Sequence, residues 1–323
     1  MVELHIQRPH ETLMNALIND EAAVKSIRVA PYDAALGAEV KCGDLRRIDG
    51  GTRTMLRQAW LDNLLLVFRG QTLQDPDLLE VSTIFGETAI AAVKPRDNLF
   101  QPVAIVSNVV ENGRKIGVLG DGEVVWHSDH SFHEKPLSAA LLYALEVPPA
   151  GGDTHFSNMY LALKTLPRDL RARIEGLTIK NDGSLNSAGE RRTNDIITDV
   201  REYVGVSHPI IRTHESGFDV LYLGRRPNAY VNGLPVEESE ELLDRLWAHA
   251  TQPAFTWAHH WQVGDLVVWD NRCVMHRRDP FDPQTRRIMH RAQCEGERPV
   301  RTPGTAAHGF HPSCTRASAS AAA

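Results

Sequence analysis

The sequence predicts a mainly β fold with flanking helices, of the sandwich or jelly-roll kind. Short apolar runs follow one another closely, and turns rich in glycine, proline and aspartate separate them. Many short strands at this spacing favour packed antiparallel sheets over a parallel sheet, in which strands would alternate with long helices. The clearest amphipathic helix, Glu237–Ala250, carries its leucines on one side and is predicted to pack against a sheet.

The predicted elements follow in chain order. Helical spacing over Thr52–Asn63, and proline and aspartate start signals before 75–85, predict two helices in the N-terminal part of the body. The predicted strands are Ile27–Pro31, Leu64–Phe68, Val103–Val109, Ser138–Val147, Thr154–Ser157, Phe218–Leu223, Phe255–His259, Asp265–Asp270 and Arg286–Glu295.

The domain organisation is predicted from changes of composition. Residues 1–26 form an N-terminal arm with a helical pattern, and residues 27–300 form a single domain. Residues 301–323 are small, polar and aperiodic, which predicts a disordered tail. Within the domain, residues 180–207 are long and polar for a loop, and such insertions often serve as lids. The sequence therefore predicts one domain with a lid insertion at 180–207.

Charge and composition exclude several classes of protein. The chain has 323 residues and a net charge of -6 at pH 7, so it has no basic surplus to neutralise nucleic-acid phosphates. Its longest aliphatic–aromatic run, Leu64–Phe68, is far too short to span a membrane. No secretion signal precedes the body, and the four cysteines show no metal or disulfide spacing. We expect a cytoplasmic protein that binds neither nucleic acid nor membranes.

Three residues have the chemistry of a metal site. In a strand, His127 and Asp129 point to the same face, which would present an imidazole and a carboxylate together. This pair alone is a weak indication, because His-x-Asp occurs often by chance. His276 follows the strand DLVVW and the turn DNR, and it would add a second imidazole. Two histidines and one carboxylate with open coordination positions are typical of non-haem Fe(II) oxygenases, whereas structural zinc sites are closed.

The segment RRIMHRAQ, Arg286–Gln293, indicates an anion site. In a strand, Arg287 and Arg291 share one face, and an inward arginine is costly to bury unless an anion pairs with it. One anion would be the distal carboxylate of a 2-oxo acid at Arg287, with a further hydroxyl donor from Thr154. The other would be an anionic substrate at Arg291. An alternative is that Arg291 only pairs with an acidic neighbour such as Asp270.

Several segments occur together along residues 27–297, namely LVFRGQ, WHSDHSF, VPPAGGDTHFSNM, LPRDL, VGDLVVWDNRCVMHR and RRIMHRA. With them the sequence resembles the taurine / 2,4-dichlorophenoxyacetate dioxygenase family. The resemblance implies a double-stranded β-helix (jelly-roll) core, a homo-oligomer, and a dioxygenase that uses Fe(II), 2-oxoglutarate and dioxygen. The implied residues are His127, Asp129 and His276 for iron, Thr154 and Arg287 for 2-oxoglutarate, and Arg291 for the substrate anion.

The resemblance is greater to the phenoxyacetate branch than to the taurine enzyme. The segment FGETAIAAVKP lacks the histidine and tyrosine that contact the sulfonate in the taurine enzyme. Lys94 lies about where the phenoxyacetate enzymes carry a lysine, so we expect it to contact substrate, although a surface lysine is the alternative. The resemblance implies hydroxylation of a small anionic substrate, such as an aryloxyalkanoate or similar carboxylate, with ether cleavage.

Other functions remain as alternatives at this point. In one alternative the substrate is an alkyl sulfonate, a sulfate ester or a secondary-metabolite acid, each of which carries an anionic group that Arg291 could bind. A non-catalytic 2-oxoglutarate-binding protein would use the same scaffold, since fold alone does not give activity. A metal-dependent hydrolase would use the metal but would leave Arg287 unexplained.

Overall fold

The structure is a computed structural model that describes residues 27–89, 102–192, 197–302 and 310–318. The predicted N-terminal arm and Lys94 lie outside these residues. Among the described residues there are nineteen strands, five α-helices and three short 3-10 helices. No helix of the described residues has the length and apolar character needed to cross a membrane.

Two sheets form the body of the molecule. The major sheet has eight strands in the spatial order β1 (Arg28–Pro31), β2 (Ala38–Lys41), β3 (Leu65–Phe68), β17 (Leu266–Asp270), β9 (Ala139–Glu146), β19 (Ile288–Cys294), β4 (Ala104–Ser107) and β7 (Val118–Leu119). The minor sheet has four strands in the order β16 (Thr256–His259), β10 (Thr154–Asn158), β18 (Val274–Arg278) and β8 (Val124–His127). Every pairing in the minor sheet is antiparallel.

Smaller elements surround these sheets. A three-stranded sheet has the order β12 (Gly205–Pro209), β11 (Thr178–Asp182) and β15 (Tyr230–Val231). Two hairpins are formed by β13 (Ile211–Thr213) with β14 (Asp219–Leu221), and by β5 (Val110–Glu111) with β6 (Arg114–Lys115). The helices are α1 (Gly50–Asn63), α2 (Asp75–Ser82), α3 (Met159–Thr165), α4 (Arg168–Arg173) and α5 (Val236–Ala250). The 3-10 helices are Leu45–Arg47, Pro253–Phe255 and Pro312–Ser318.

Alternation along the central strands of the major sheet separates two cores. In β17, Val267 and Trp269 pack towards the minor sheet, whereas Leu266 and Val268 pack towards α1 and α2. The strand β9 divides its apolar side chains between the same two cores. Successive side chains of a strand point to opposite faces, so a strand covered on both faces is apolar throughout. This explains the continuous apolar runs of the sequence, and the core between the sheets surrounds the candidate site.

This architecture confirms the predicted mainly β fold with a jelly-roll core and flanking helices. The predicted strands are present, and most bounds differ by a residue or two. The sequence analysis missed α3 and α4, whose 7 and 6 residues are too short to show a helical period. It also missed the small strands β11 to β13, of which β11 and β12 pair with each other across a long connection.

The predicted disordered tail differs from the structure over residues 310–318. His311 and Cys314 are 3% and 2% exposed, and the His311 ring stacks on Tyr160 with 4.3 Å between ring centroids. The amide of Asn158 also bonds the Ser313 hydroxyl at 3.2 Å. The segment is short and polar in sequence, so its order depends on docking against α3 rather than on any local pattern.

The predicted lid insertion, residues 180–207, is partly regular structure. Its first residues belong to β11 and its last to β12, and these strands pair with each other from Thr178↔Pro209 to Asp182↔Gly205. Between the strands, Asn186, Ser187 and Arg192 line a cavity that is described below.

Candidate active site

His127, Asp129 and His276 meet between adjacent strands of the minor sheet. His127 ends β8, His276 lies in the middle of β18, and the two residues pair directly in the antiparallel register. All three side chains are buried, and one ligand atom from each lies within 4.8 Å of the others. The predicted residues are therefore brought together by strand pairing, with two imidazoles and one carboxylate facing one point.

Neighbouring groups orient these three side chains. His127 Nδ1 donates to the Val125 carbonyl oxygen at 2.7 Å, which leaves Nε2 free as the ligand atom. The amide of Asn271 fixes the backbone of Asp129, since its Oδ1 accepts from the Asp129 N–H at 2.7 Å and its Nδ2 donates to the Asp129 carbonyl at 2.9 Å. Gln293 donates from Nε2 to the Asp129 carboxylate at 3.2 Å.

Electrostatics keep Asp129 and His276 in the protonation states that bind a cation. Burial alone would raise the pKa of Asp129, but the charge of Arg291 and the hydrogen bond with His127 outweigh it and hold that pKa well below its usual range. Burial lowers the pKa of His276 to about 3, with a contribution from His127, so this imidazole is neutral at pH 7. Neutral imidazoles and an ionised carboxylate are the donor set that suits Fe(II).

Arg287 lies at the start of β19 in an unusual state. It is 1% exposed, and none of its three side-chain nitrogens, Nε, Nη1 and Nη2, has a hydrogen-bond partner among the described residues. Its guanidinium lies over the Trp261 ring at 5.9 Å, and burial together with Arg278 lowers its pKa to about 9. A fully buried guanidinium without an acceptor is very costly, so this position requires an anion.

The strand β10 and the turn before it lie beside Arg287. A Cβ at Gly152 would be in ordinary contact with Arg287 Cδ, at 3.5 Å, and closer to Pro148 Cγ, at 3.2 Å. Gly152 has φ +72, so a side chain there would be strained. Thr154 is 3% exposed, and its hydroxyl oxygen accepts from Trp261 Nε1 at 3.0 Å, which leaves the hydroxyl hydrogen to donate elsewhere. The residues present fit a dicarboxylate such as 2-oxoglutarate.

Arg291 points to the same side of β19 as Arg287, as strand alternation predicts. Its acidic neighbour among the described residues is Asp129, with 3.6 Å between Nη1 and Oδ1, while Asp270 pairs instead with His214 and Arg272. Arg291 therefore does face an acidic neighbour, as the alternative holds, but that neighbour is Asp129 and not Asp270. Because Asp129 is also a candidate metal ligand, Arg291 remains available to an anion beside the metal position.

A cavity of about 470 Å³ opens beside the three candidate ligands. Its walls include His127, Asp129, Arg291 and Gln293, and also two arginines that the sequence analysis did not single out, Arg192 and Arg225. Arg225 pairs through its backbone with His127 in an isolated bridge. No sequence pattern marks either arginine. Gln293, by contrast, follows Arg291 by two residues on the same face of β19, so alternation could have found it.

Comparisons with known proteins identify the family of the chain. The family described as "Taurine catabolism dioxygenase TauD, TfdA family" matches residues 28–293. The chain is 38% identical over 281 residues to the alpha-ketoglutarate-dependent 2,4-dichlorophenoxyacetate dioxygenase of Cupriavidus pinatubonensis, covering 83% of this chain and 97% of the relative. It is 34% identical to the pentalenolactone F synthase of Streptomyces arenae, covering 82% of this chain and 93% of the relative.

A solved structure shares the fold as well. The crystal structure of AAD-2 in complex with Mn(II) and N-oxalylglycine superposes with a TM-score of 0.72 at 29% identity, covering 86% of this chain and 99% of the other. These findings confirm the predicted resemblance, including its similarity to phenoxyacetate dioxygenases, and they confirm the predicted enzyme class. The family matches nearly the whole body of the chain, and the strand-paired histidines and the inward carboxylate agree with it. The chain therefore belongs to the TauD, TfdA family of dioxygenases.

Proposed function

We propose that this protein is an Fe(II)- and 2-oxoglutarate-dependent dioxygenase that hydroxylates a small anionic organic substrate. The favoured substrate is an aryloxyalkanoate or a similar carboxylate, in which hydroxylation beside the ether oxygen yields a hemiacetal that collapses. The observation that carries the proposal is the combination of a buried His-Asp-His group with a buried Arg287 guanidinium that has no hydrogen-bond partner among the described residues. A plain metal site would not need such an arginine.

Each residue has a proposed role. When bound, Fe(II) with 2-oxoglutarate and dioxygen supplies the oxidation, in which one oxygen atom enters succinate as carbon dioxide leaves and the other enters the substrate C–H bond. His127, Asp129 and His276 hold the metal and leave positions on it open. Arg287 binds the distal carboxylate of 2-oxoglutarate through parallel N–H donors, and Thr154 adds a hydroxyl donor, so the co-substrate has one orientation.

The substrate side of the site depends on Arg291. Its guanidinium lies 3.6 Å from the Asp129 carboxylate, which places a bound substrate anion next to the metal. Holding the anion there presents the adjacent C–H bonds to the reacting centre. We also propose that Lys94 contacts the substrate, a role that rests on the family resemblance alone.

The first test is a visible spectrum without oxygen, on addition of Fe(II) and then 2-oxoglutarate. The proposal predicts a weak charge-transfer band from the chelate. In Arg287→Met the band should require about 100-fold more 2-oxoglutarate, because a charge-assisted bidentate pair is lost. Arg286→Met is the matched control, since Arg286 is exposed and pairs with Glu146 at 2.6 Å. No band in a folded wild-type protein would overturn the proposal.

A second test separates the remaining functions. Succinate release is measured across aryloxyalkanoates, alkyl sulfonates, sulfate esters and other organic acids. Release that depends on dioxygen and on one of these compounds supports the oxygenase and names its substrate class. A chelate band without any turnover would favour a 2-oxoglutarate-binding protein, and turnover without dioxygen would favour a hydrolase.

We further propose a cytoplasmic location, a homo-oligomer and a lid role for residues 180–207. The location is supported by four buried, unpaired thiols, which suit a reducing compartment; they are Cys42, Cys273, Cys294 and Cys314. The lid role is supported by Asn186, Ser187 and Arg192 at the cavity wall. The oligomer rests on the family resemblance, and light scattering after gel filtration tests it.

A further inference from the structure

The cavity beside the candidate ligands has a marked excess of positive charge. Its lining includes three arginines, Arg192, Arg225 and Arg291, while Asp129 is the one acidic residue among the described residues of that lining. Asp129 already faces Arg291 and the metal position. Among the described residues of the cavity wall, the other two guanidinium groups therefore have no acidic partner of their own.

Arg192 and Arg225 are placed against the same side chain. Their guanidinium carbons lie 4.9 and 5.5 Å from the ring centre of Phe132, which is itself part of the cavity wall. Arg225 is 5% exposed, and its Nη2 donates to the Asp182 carbonyl oxygen at 3.1 Å. Within the described part of the chain, neither arginine forms a salt bridge.

The acidic group facing this pair is already engaged. The Asp182 carboxylate accepts from the Ser184 N–H at 3.0 Å, from the Ser184 hydroxyl at 2.5 Å and from the Asn228 amide at 3.0 Å. Its charge acts on Arg225 only from a distance, and burial together with Arg192 lowers the pKa of Arg225 to about 10. Two like charges held together without a paired carboxylate are unfavourable until an anion binds between them.

Other stacked arginines show that ring contact alone does not explain the pair. Arg212 lies over Tyr222, Arg272 over Trp60 and Arg277 over Trp126, and each also pairs with a carboxylate. Arg287, like Arg192 and Arg225, stacks on a ring without such a partner. Arg278, which lies over Phe281, also has no carboxylate partner among the described residues, and its Nη2 donates to the carbonyl oxygens of Leu119 and Gly122. The lack of an acidic partner therefore indicates an anion site at Arg192 and Arg225 only together with their place in the cavity lining.

We propose that Arg192 and Arg225 form a second anion subsite in the substrate cavity, so that the preferred substrate carries two acidic groups. One acidic group binds to Arg291 beside the metal position, and the other binds between the guanidinium groups of Arg192 and Arg225 near Phe132. This inference rests on the proposed function, because it takes Arg291 as the holder of the first group. It narrows the substrate class from organic anions to dicarboxylates or comparable dianions.

The test compares two matched ligands, phenoxyacetate and 4-carboxyphenoxyacetate, which differ by one carboxylate. Their affinities are measured by calorimetry on the protein loaded with Mn(II) and N-oxalylglycine, so that no turnover occurs. We expect the dianion to bind at least 10-fold more tightly, and this preference to fall steeply with added salt. Arg225→Gln should reduce the preference to about 2-fold or less, because the second carboxylate loses one of its two guanidinium partners.

Controls keep the test decisive. Arg226→Gln is the matched control, because Arg226 pairs with Glu240 and Asp244 at 2.7 Å on the outer side and should leave the preference intact. If Arg225→Gln does not fold, Arg192→Gln at an exposed position is measured instead, and the same loss of preference for the dianion is expected. Equal affinities, a preference that survives both substitutions, or no binding of either ligand would overturn the inference. Failure of N-oxalylglycine itself to bind would instead overturn the proposed function.

Discussion

Two buried clusters of similar composition lie among the residues that the structure describes. The first is His127, Asp129 and His276, and the second is His214, Asp270 and Cys273; in each, one potential ligand atom per residue lies within 4.8 Å of the others. In the second cluster, His214 Nε2 bonds Asp270 at 3.0 Å, and Arg272 donates to both carboxylate oxygens at 2.8 and 2.7 Å. In the first, Asp129 has only weaker contacts, at 3.2 Å or more.

The two clusters differ in whether their potential ligand atoms already have partners, and not in how close these atoms lie to one another. Arg272 also donates to Glu215 at 2.8 Å, so the second cluster is a closed ion-pair network with its carboxylate oxygens occupied. Burial raises the pKa of Cys273 well above its usual range, so its thiol stays protonated and is a poor metal ligand. The first cluster keeps free ligand atoms facing one point. Potential ligand atoms without partners therefore distinguish the candidate metal site from the cluster that stabilises the fold.

The largest expected effect is the loss of a ligand from the open cluster. His276→Ala should abolish the charge-transfer band of the Fe(II) and 2-oxoglutarate complex, because only two of the three protein ligands remain. The measurement is the anaerobic visible spectrum together with bound iron per chain. Cys273→Ala, three residues away in the closed cluster, should keep both signals. A metal content reduced equally by the two substitutions would remove the distinction between the clusters.

The next effect concerns stability and belongs to the closed cluster. Asp270→Asn should reduce the free energy of unfolding by about 3–5 kcal/mol, because it leaves the buried Arg272 charge without its main partner. Urea unfolding of the metal-free protein measures it. Asp244→Asn is the same chemical change in an exposed ion pair and should cost about 1 kcal/mol or less. Similar losses from the two substitutions would contradict a structural role for the closed cluster.

A smaller effect is expected from the group that holds the open carboxylate. Gln293→Leu removes the 3.2 Å donation to Asp129 and should weaken Fe(II) binding by about 10- to 100-fold, while the protein stays folded. A competition titration with a metal-sensitive dye measures the affinity. Gln284→Leu, at an exposed position, serves as the control. An unchanged affinity would mean that the hydrogen bond from Gln293 to the Asp129 carboxylate does not contribute to Fe(II) binding.

The smallest effect is a pH dependence next to the closed cluster. Burial lowers the pKa of His311 to about 4, below the value of about 6.5 for an unfolded chain. Since the folded pKa is the lower one, protonation favours detachment of the segment. Its contribution is complete above about pH 6.5 and is lost as the pH falls towards 4. His311→Phe should therefore show a smaller fall in Tm between pH 7 and pH 5 than the wild type.

A control substitution makes the pH effect specific. His260→Phe changes a histidine whose side chain is 81% exposed, and it should leave the wild-type fall in Tm unchanged. Equal falls in the wild type and in His311→Phe would show that the docked segment does not respond to protonation.

Sequence reasoning reached the parts of the site that depend on local spacing. His127 and Asp129 share a face because they are two residues apart in an extended segment, and Arg287 and Arg291 turn inward for the same reason. It did not reach Asn271, Arg192 or Arg225, whose neighbours in the site are far away along the chain. It also misjudged residues 310–318, where a polar segment is ordered by docking on α3.

The sequence by itself determined the fold class, the family and the identity of the candidate ligands, because alternation, run length and short motifs are properties of neighbouring residues. Only the tertiary structure decided which charged groups are satisfied. The Asp270 carboxylate is paired with Arg272 and His214, while the guanidinium of Arg287 has no hydrogen-bond partner among the described residues. Pairing across the fold is set by strand register and burial, and buried charge is costly unless paired. The unpaired charges that mark a binding site can therefore be recognised only after the chain is folded.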